Sequence, residues 1–580
     1  MTSINHSKPG WKKALETLWP LPLLLLLYGG IRYWHYAQFG FYEDDHHYVL
    51  RAINMPQKEF FPYLFNIGHI LRFYDAGHPL HPRLITLGTK IGWWLSEVRG
   101  IYWVSFFIGS VNIALFYSLL RRMHSVSLGV IGSLFFVLYP ADTTQAYLTF
   151  ALGLQPSITF FLLAAHSYLS GSRWLPYGFA VLSLFTYETV FPIFFALPFL
   201  DGIDKQDKFR IIRRHAFLTA AILVGVIIWR AAVGENRLSA LSFGEAISTP
   251  LVHSLQGPIV VLGTFLYRPV QVLQSMTPGL WIVIGILMIS ITLLLLKVYP
   301  NVIQKERPGV EPHQQTRGGK RMGWLLWRDR WEQIDQGIRS LLWFAGTGLL
   351  MLILAYPLTF TVRAYAISGR DTRVHAAGVL GAALLLGSLT LLVLSLISNR
   401  HGRRWVVLGI SIWLSLLGGF GFIVQQDYVL AWDYQQEFWS SLMPFIDDLE
   451  DGTIILIDPE GLGEPRFIAA NTWSLPNVLK HLYVFPEHWE TMPRVHRLLP
   501  DWRSRTLENS IEIKALDFMW EYVVVPWDDV ILLETEEGAV SNRLETVQLN
   551  GVEYPLNMYE RDGSLTLPRT RVYAYFVIEQ

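Results

Sequence analysis

The sequence predicts a polytopic α-helical membrane protein with about eleven transmembrane helices and an α/β domain at its C-terminus. Three observations point to this fold class. The 580 residues are 52% hydrophobic and only 16% charged, whereas a soluble domain carries roughly 25% charged residues. The apolar residues gather in about eleven runs, each of roughly 17–25 residues and so long enough to cross a bilayer. Residues 425–580 instead mix charged, apolar and turn-forming residues, as small soluble domains do.

The composition also excludes some functions. The formal net charge is zero, so the overall charge gives no reason to expect a nucleic-acid partner. The chain has no cysteine, which excludes a thiol nucleophile. Lys12 and Lys13 precede the first apolar run, and no small-residue cleavage site follows it. We therefore expect a retained first helix rather than a cleaved signal peptide.

The first helix is expected from about 18 to 36, and the lysines before it place its start in the cytoplasm. The loop that follows, from 35 to about 100, is too polar to cross the membrane and lies on the outer side. Within it, the aromatic stretch 59–74 predicts an interfacial amphipathic helix. A second loop helix is expected over 83–98, because a proline precedes it at a position suited to a first turn.

Ten further spans are expected at about 101–120, 128–139, 146–169, two short ones sharing 175–200, 216–233, 280–298, 340–360, 375–397 and 405–423. Basic clusters alternate with this count, which favours a cytoplasmic N-terminus and an extracytoplasmic C-terminal domain. The apolar piece Ile259–Leu266 is flanked by prolines and is expected to lie in the membrane plane or to be re-entrant. The predicted domains are therefore a transmembrane catalytic domain, 1–424, and an extracytoplasmic domain, 425–580.

Within the second domain, residues 453–457, 522–525 and 573–578 are expected to form buried strands. The runs 544–549 and 552–556 flank Asn550-Gly551, which predicts a hairpin with a type I′ turn.

The acidic stretch from Phe41 to Tyr48 reads Phe-Tyr-Glu-Asp-Asp-His-His-Tyr and directly follows the first helix. Outside the membrane there is no ATP, so an enzyme there needs an activated substrate such as a sugar on polyprenyl phosphate. Inverting transfer from such a donor needs a carboxylate base at the membrane surface. Asp44 or Asp45 is the predicted base. The alternative is that these residues cap the next helix, since Asp is favoured at that position.

With these residues the chain resembles the GT-C fold glycosyltransferases, integral membrane enzymes that use polyprenyl-phosphate-linked sugars. Protein O-mannosyltransferases and aminoarabinose transferases are known members. The resemblance rests on Glu43-Asp44-Asp45 in the first outer loop, on the amphipathic loop helices, on the order of spans and on the outer C-terminal domain. It implies that Asp44 or Asp45 is catalytic, that the donor is a polyprenyl-phosphate-linked sugar, and that the acceptor is a glycan, lipid or protein.

A donor phosphate needs fixed cations, and the short outer loop after the ninth span holds Arg363, Arg370 and Arg373. Guanidinium groups bind phosphate oxygens two at a time. Positive charge on an outer loop also opposes the usual distribution of basic residues. We therefore predict that these arginines bind the donor phosphate, with Arg370 and Arg373 favoured. The alternatives are binding of lipid headgroups and a salt bridge to Asp371.

Four further polar residues are candidates for contacts with the phosphate or with sugar hydroxyls. Arg72, His78 and Arg83 lie in the first outer loop, and Glu188 separates two short apolar runs. A carboxylate within the membrane is a functional candidate because its burial is costly. If these residues instead reach the aqueous surface, they are simply solvated.

The neighbouring His46 and His47 leave a divalent metal open as an alternative role for the acidic stretch, although no cofactor is firmly expected. Adjacent side chains diverge on a helix or a strand, so two neighbouring histidines seldom reach one ion.

Two other classes of protein compete with a glycosyltransferase. One is a lipid-linked glycan flippase or another transporter, which usually carries charges deep within its helices and shows inverted repeats. In this sequence the charges lie at predicted loops, and no repeat is evident. The other is a non-catalytic cell-envelope assembly protein with an outer recognition domain.

Overall fold

The computed structural model describes residues 18–66, 78–202, 208–233, 243–298, 336–360, 363–397, 399–446, 449–457, 466–471, 474–498, 506–507, 510–514, 522–527, 530–549, 552–556 and 567–578. Helices dominate these ranges. In chain order they are α1 Pro20–Tyr33, α2 Asp45–Asn54, α3 Gln57–Phe65, α4 His81–Met123, α5 Val126–Val137, α6 Gln155–Leu169, α7 Leu175–Thr186, α8 Lys208–Val233, α9 Phe243–Gln274, α10 Pro278–Val298, α11 Gln336–Leu354, α12 Gly378–Leu396, α13 Arg400–Leu442, α14 Pro476–Leu482 and α15 Tyr573–Phe576.

Eight of the described helices are long and apolar enough to cross a membrane. This confirms the predicted class of a polytopic α-helical membrane protein with a C-terminal α/β region. Helices α5 and α7 are apolar but contain only 12 residues each, or about 18 Å at 1.5 Å per residue. A crossing of about 30 Å through either of them therefore needs adjoining segments that are not α-helical.

Helix α4 combines a predicted loop helix with the predicted second span, and it breaks between them. Ser96 and Glu97 have non-helical backbone angles, with φ of −166° and 51°. A Cβ atom added to Gly100 would lie 2.0 Å from the carbonyl oxygen of Gly92, although eight residues of straight helix span about 12 Å. The two halves therefore fold sharply against each other, and only glycine at both positions permits this backbone contact.

Segment 175–200 also matches the prediction of two short pieces. Helix α7 ends at Thr186, Tyr187 is extended, and a 3-10 helix follows from Glu188 to Asp201. Pro192 and Pro198 lie inside this second piece. Because proline lacks an N–H group and clashes with the preceding turn, it disfavours a regular α-helix here.

Helix α9 contains the piece that the sequence predicts to be in-plane or re-entrant, but it is 32 residues long. The ring Nδ1 of His253, near its start, is 2.7 Å from the Thr359 carbonyl oxygen. Beyond its end, Ser275 accepts a hydrogen bond from Arg466 at 3.2 Å. The length and composition of this helix suit a crossing, and its in-plane or re-entrant orientation stays a prediction.

The last long helix, α13, runs without a break through residue 425, the boundary that composition suggests, and ends at Leu442. The described residues beyond it, which we call the C-terminal region, form nine strands. In chain order they are β1 Ile454–Ile457, β2 Arg494–Arg497, β3 Thr506–Leu507, β4 Ser510–Lys514, β5 Tyr522–Pro526, β6 Val530–Glu536, β7 Ala539–Arg543, β8 Thr546–Leu549 and β9 Val552–Pro555. They form a four-stranded sheet in the order β2-β1-β6-β7, a three-stranded sheet β3-β4-β5 and the hairpin β8-β9.

Strand β1 lies parallel to both β2 and β6, and it matches a predicted buried strand. The predicted hairpin is also present, with Leu549 opposite Val552; its Asn550-Gly551 turn lies outside the described residues. One strand prediction is wrong, because residues 573–576 form a helical turn instead. A short, continuous apolar run does not distinguish a strand from a buried helix.

One continuous buried core joins the helices to the C-terminal region. It includes Phe41, Trp439 and Phe576, together with residues of β1 and α14. The rings of Phe41 and Phe576 stack with centroids 5.8 Å apart. The outer loop before α2 is therefore packed between the bundle and the C-terminal region, and this packing fixes the position of the acidic stretch.

Candidate functional site

The acidic stretch forms a tight turn at the start of α2. The Asp45 N–H donates to the Tyr42 carbonyl at 2.9 Å, and the His46 N–H donates to the Glu43 carbonyl at 3.1 Å. Glu43 has a φ of 52°, in the left-handed region that residues other than glycine seldom adopt. Such strain persists only where the surroundings impose it, and it often marks functional sites. The turn sends the two neighbouring aspartates to different partners.

Asp44 binds two of the three predicted arginines. Arg370 Nη2 donates to its carboxylate at 3.0 and 3.2 Å, and Arg373 Nη1 donates to it at 2.9 Å. Although Asp44 is at the N-cap position of α2, within the described chain its side chain makes no capping hydrogen bond. The capping alternative therefore does not account for Asp44. Burial alone raises the pKa of Asp44, but the charges of Arg370 and Arg373 outweigh it and hold the pKa below its ordinary value.

The two arginines share one side of a short 3-10 helix, Arg370–His375. Residues three apart eclipse each other in this helix type, so both guanidinium groups reach the same carboxylate. Gly369 begins the turn with a φ of 70°, and its N–H donates to the Phe467 carbonyl at 3.0 Å. The C-terminal region thereby anchors the segment that carries the arginines.

Asp45 has a different environment. Its fully buried carboxylate accepts hydrogen bonds from the Tyr42 and Leu148 N–H groups and from both the N–H and the hydroxyl of Thr149, at 2.7–3.3 Å. Burial raises the pKa of Asp45 to about 7, although the four donors act in the opposite direction. These bonds tie the acidic turn to the segment before α6. The geometry therefore favours a structural role for Asp45 and leaves Asp44 as the candidate base.

Arg363 is the third predicted arginine, and within the described part of the chain it forms no hydrogen bond or ion pair with Asp44 or Asp45. Its guanidinium lies over the ring of Tyr365 at 5.7 Å, and its side chain is exposed. Arg373, by contrast, lies 5.5 Å from the ring of Phe150 and its side chain is only 16% exposed. Of the three, Arg370 and Arg373 therefore form the cluster with Asp44.

A second polar cluster surrounds Glu188. Its carboxylate contacts the ring nitrogen Nε2 of His78 and lies 3.4 Å from Arg230 Nη2. The His78 ring stacks on Tyr187, with centroids 5.1 Å apart. Burial lowers the pKa of Arg373, but its acidic neighbours Tyr187, Asp44 and Asp371 together raise it above its ordinary value, so Tyr187 lies close to Arg373. Two predicted site residues, His78 and Glu188, therefore lie together beside the Asp44 cluster.

Between these clusters lies His81, whose ring is 5.7 Å from that of Tyr187 and 5.9 Å from that of Tyr48. Its charge contributes to the lowered pKa of Asp44. Tyr48 and Tyr187 are not among the sequence-predicted site residues, because tyrosine is common near membrane surfaces and gives no distinct signal. The sequence feature that could have singled out Tyr187 is its position next to Glu188, between two apolar runs.

Two candidates from the first loop remain, Arg83 and Arg72, and the structure describes only the first. Arg83 is buried, donates to the Pro79 carbonyl and lies over the ring of Tyr63 at 5.3 Å. Through these contacts Arg83 holds the start of α4 in place. Arg72 lies outside the described residues.

The two histidines after the aspartates also have separate partners. His46 is within hydrogen-bond distance of Ser474 Oγ at 2.8 Å and of the Phe41 carbonyl at 3.2 Å. His47 packs edge-on against Tyr48, and burial, together with the charges of nearby basic side chains, lowers its pKa to about 4. Among the described residues, no group of three or more His, Asp or Glu side chains is arranged to hold a metal ion.

No protein-family model matches the chain, and no curated protein matches it. In structure it is similar to the archaeal oligosaccharyltransferase AglB from Archaeoglobus fulgidus, solved in complex with an inhibitory peptide and a dolichol-phosphate. The identity is 15% and the TM-score 0.37, over 83% of this chain. The chain spans 65% of the length of that protein. It is also similar to ArnT from Cupriavidus metallidurans bound to undecaprenyl phosphate, with 14% identity and a TM-score of 0.30, over 80% of this chain and 86% of that one.

Proposed function

We propose that the protein is an inverting glycosyltransferase. It takes a sugar from a polyprenyl-phosphate donor and transfers it to a glycan, lipid or protein acceptor on the outer face of the cell membrane. The observation that carries the proposal is the joint binding of Asp44 by Arg370 and Arg373. It brings together a carboxylate that can accept a proton and two guanidinium groups that can bind phosphate, in the chain that follows the first apolar helix.

The same two guanidinium groups suit a donor phosphate. Arginine binds carboxylate and phosphate oxygens with the same forked geometry. The cluster is partly accessible, since the side chain of Arg370 is 27% exposed and that of Asp44 is 14% exposed. In the proposed cycle the donor phosphate takes the place of the Asp44 carboxylate on the two arginines. Asp44 is thereby released toward the acceptor.

This exchange also increases the basicity of Asp44. The arginine charges hold its pKa down, whereas burial raises it. Once the arginines bind phosphate, the burial effect is no longer outweighed, and the carboxylate becomes a stronger proton acceptor. The donor phosphate thus activates the base as it binds.

The chemical step is a single displacement. The acceptor hydroxyl attacks the anomeric carbon on the face opposite to the phosphate, while Asp44 accepts the hydroxyl proton. The bond between the anomeric carbon and the phosphate oxygen breaks, and its electron pair leaves with polyprenyl phosphate. Arg370 and Arg373 stabilise the negative charge on this leaving group. The proposed topology has a cytoplasmic N-terminus, with the site and the C-terminal domain outside.

The experiment uses full-length protein in lipid nanodiscs, a panel of polyprenyl-phosphate sugars as donors, and release of polyprenyl phosphate as the readout. Loss of a general base costs about 10²–10⁴-fold in rate, so Asp44→Asn is expected to lower release by that factor. Binding of added polyprenyl phosphate to the same variant is expected to persist. The matched control is Asp371→Asn, an exposed acid in the same loop. Unchanged release from Asp44→Asn would exclude this mechanism.

A further inference from the structure

A cavity lies next to the chain that leads into the acidic turn. It has a volume of about 1000 Å³ and is enclosed by the chain after α1, the break in α4 and the outer part of α13. The side chains that matter for its chemistry are Trp93, Glu97, Arg99, Trp432, Asp433 and Tyr575. Its volume matches the upper end of the ~300–1,000 Å³ range of ligand pockets. The Asp44 cluster does not contribute to its walls among the described residues, although Phe41 does.

The lining combines aromatic rings with hydrogen-bond acceptors. Glu97 and Asp433 provide carboxylate oxygens, which accept hydrogen bonds from hydroxyl groups. Trp93, Trp432 and Tyr575 provide ring surfaces, against which the apolar C–H faces of a sugar ring pack. Two carboxylates and one guanidinium group, that of Arg99, give the lining a net negative charge, which disfavours a phosphate, and the polarity of these groups disfavours an acyl chain. A neutral carbohydrate satisfies both features of the lining.

The backbone of the cavity wall is strained at the residue that presents one of these carboxylates. Glu97 has φ 51° and ψ −135°, a conformation that residues other than glycine seldom adopt and that surrounding contacts must hold in place. Its carboxylate accepts a hydrogen bond from the Tyr575 hydroxyl, so the α4 break and the C-terminal end of the chain hold each other. The strain is maintained at a position where it directs a carboxylate into the cavity.

We propose that this cavity binds the carbohydrate part of the acceptor. The inference rests on the proposed glycosyl transfer and names the substrate class of the acceptor side. Phe41 in the cavity wall is three residues from Asp44, and three residues span at most about 11 Å. The cavity wall therefore lies within that distance of the residue that carries the base, and an acceptor anchored in the cavity has to extend past Phe41 to present a hydroxyl to Asp44. Trp94 at the rim is 85% exposed, as expected at a membrane surface, where a lipid-anchored acceptor would enter.

The test measures binding rather than transfer, so it does not depend on Asp44 chemistry. Full-length protein in nanodiscs is applied to an array of neutral oligosaccharides of two to five sugar units. Wild-type protein is expected to bind at least one of them. Asp433→Ala and Trp93→Ala are each expected to weaken that binding at least tenfold. The matched control is Glu437→Ala, which removes an exposed acid one turn further along α13 and outside the cavity lining.

The outcomes separate this inference from the proposed function. Asp44→Asn is expected to lose transfer but to keep oligosaccharide binding. If Asp44→Asn keeps transfer while Asp433→Ala loses binding, the proposed base is wrong and the carbohydrate site stands. If wild-type protein binds no oligosaccharide, or if Asp433→Ala and Trp93→Ala bind as the Glu437→Ala control does, the carbohydrate site is excluded.

Discussion

The carboxylate of Asp44 accepts a hydrogen bond from Arg373 at 2.9 Å, although 329 residues separate them in the chain. Asp44 lies at the N-cap position of α2, whereas Arg373 belongs to a short 3-10 helix before α12. Their meeting is supported on both sides by the C-terminal region, through His46 with Ser474 and through Gly369 with Phe467. The C-terminal region therefore positions both halves of the cluster.

The different environments of the two aspartates predict different defects. Each carboxylate oxygen of Asp45 accepts two of the four hydrogen bonds, so Asp45→Asn replaces one of these oxygens with an amide donor that faces two donors. Each unsatisfied buried donor costs about 1–3 kcal/mol, so we expect a lowered thermal unfolding midpoint in detergent. The exposed Asp371→Asn serves as the control. An unfolding midpoint for Asp45→Asn equal to that of the control would contradict the structural role.

Removing an arginine is expected to shift the pH dependence of transfer. Arg370 and Arg373 hold the pKa of Asp44 below its ordinary value against the effect of burial. In Arg370→Gln one of these charges is gone, so the pKa of Asp44 rises. The acidic limb of the kcat/KM profile, which reports the free enzyme, should therefore move to higher pH.

The control for this shift is Arg363→Gln, since Arg363 is exposed and lies over Tyr365. We expect its pH profile to coincide with that of the wild type. A steady-state pH series on both variants decides the question. An acidic limb that does not move in Arg370→Gln would show that Asp44 is not the group titrating in that limb.

Part of this site was predictable from local sequence. Charges that directly follow an apolar run are costly unless they face water or a site, and this singled out Asp44, Arg370 and Arg373. The break in α4 and the division of segment 175–200 also followed from local patterns, because polar residues and prolines interrupt apolar runs.

The rest depended on tertiary contacts that local patterns do not encode. Asp44 and Asp45 are neighbours with the same chemistry, and the left-handed turn at Glu43 separates their roles. Residues 573–576 form a helical turn because Phe576 packs against Trp432 and Phe41, and the apolar run alone suits a strand equally well. The aromatic cavity draws its walls from four distant segments, so no single stretch of sequence signals it.

Because α4 folds sharply back on itself, we predict that replacing Gly100 lowers the stability of the protein. In Gly100→Ala the new methyl group would lie 2.0 Å from the Gly92 carbonyl oxygen, a backbone atom that cannot move aside easily. Overpacking typically costs about 1–3 kcal/mol, and contact with backbone places this variant at the upper end. Gly285→Ala in α10 is the matched control, because nothing lies within 4 Å of its added Cβ. Thermal unfolding should show a lowered midpoint for Gly100→Ala only, and equal midpoints would contradict the backbone contact.

The contacts of Arg268 help to attach the C-terminal region to the helices, and we predict that their loss loosens this attachment. Its guanidinium lies between the rings of Phe420 and Phe467, at 4.4 and 5.0 Å from their centroids. Because Phe467 belongs to the C-terminal region, Arg268→Ala removes a contact between the two parts. We expect faster cleavage by trypsin near residues 466–471, measured by limited proteolysis of protein in nanodiscs. Arg268→Lys retains the charge but not the flat stacking surface, so it should be cleaved nearly as fast as Arg268→Ala. If the Lys variant resists cleavage as the wild type does, charge rather than stacking holds the two parts together.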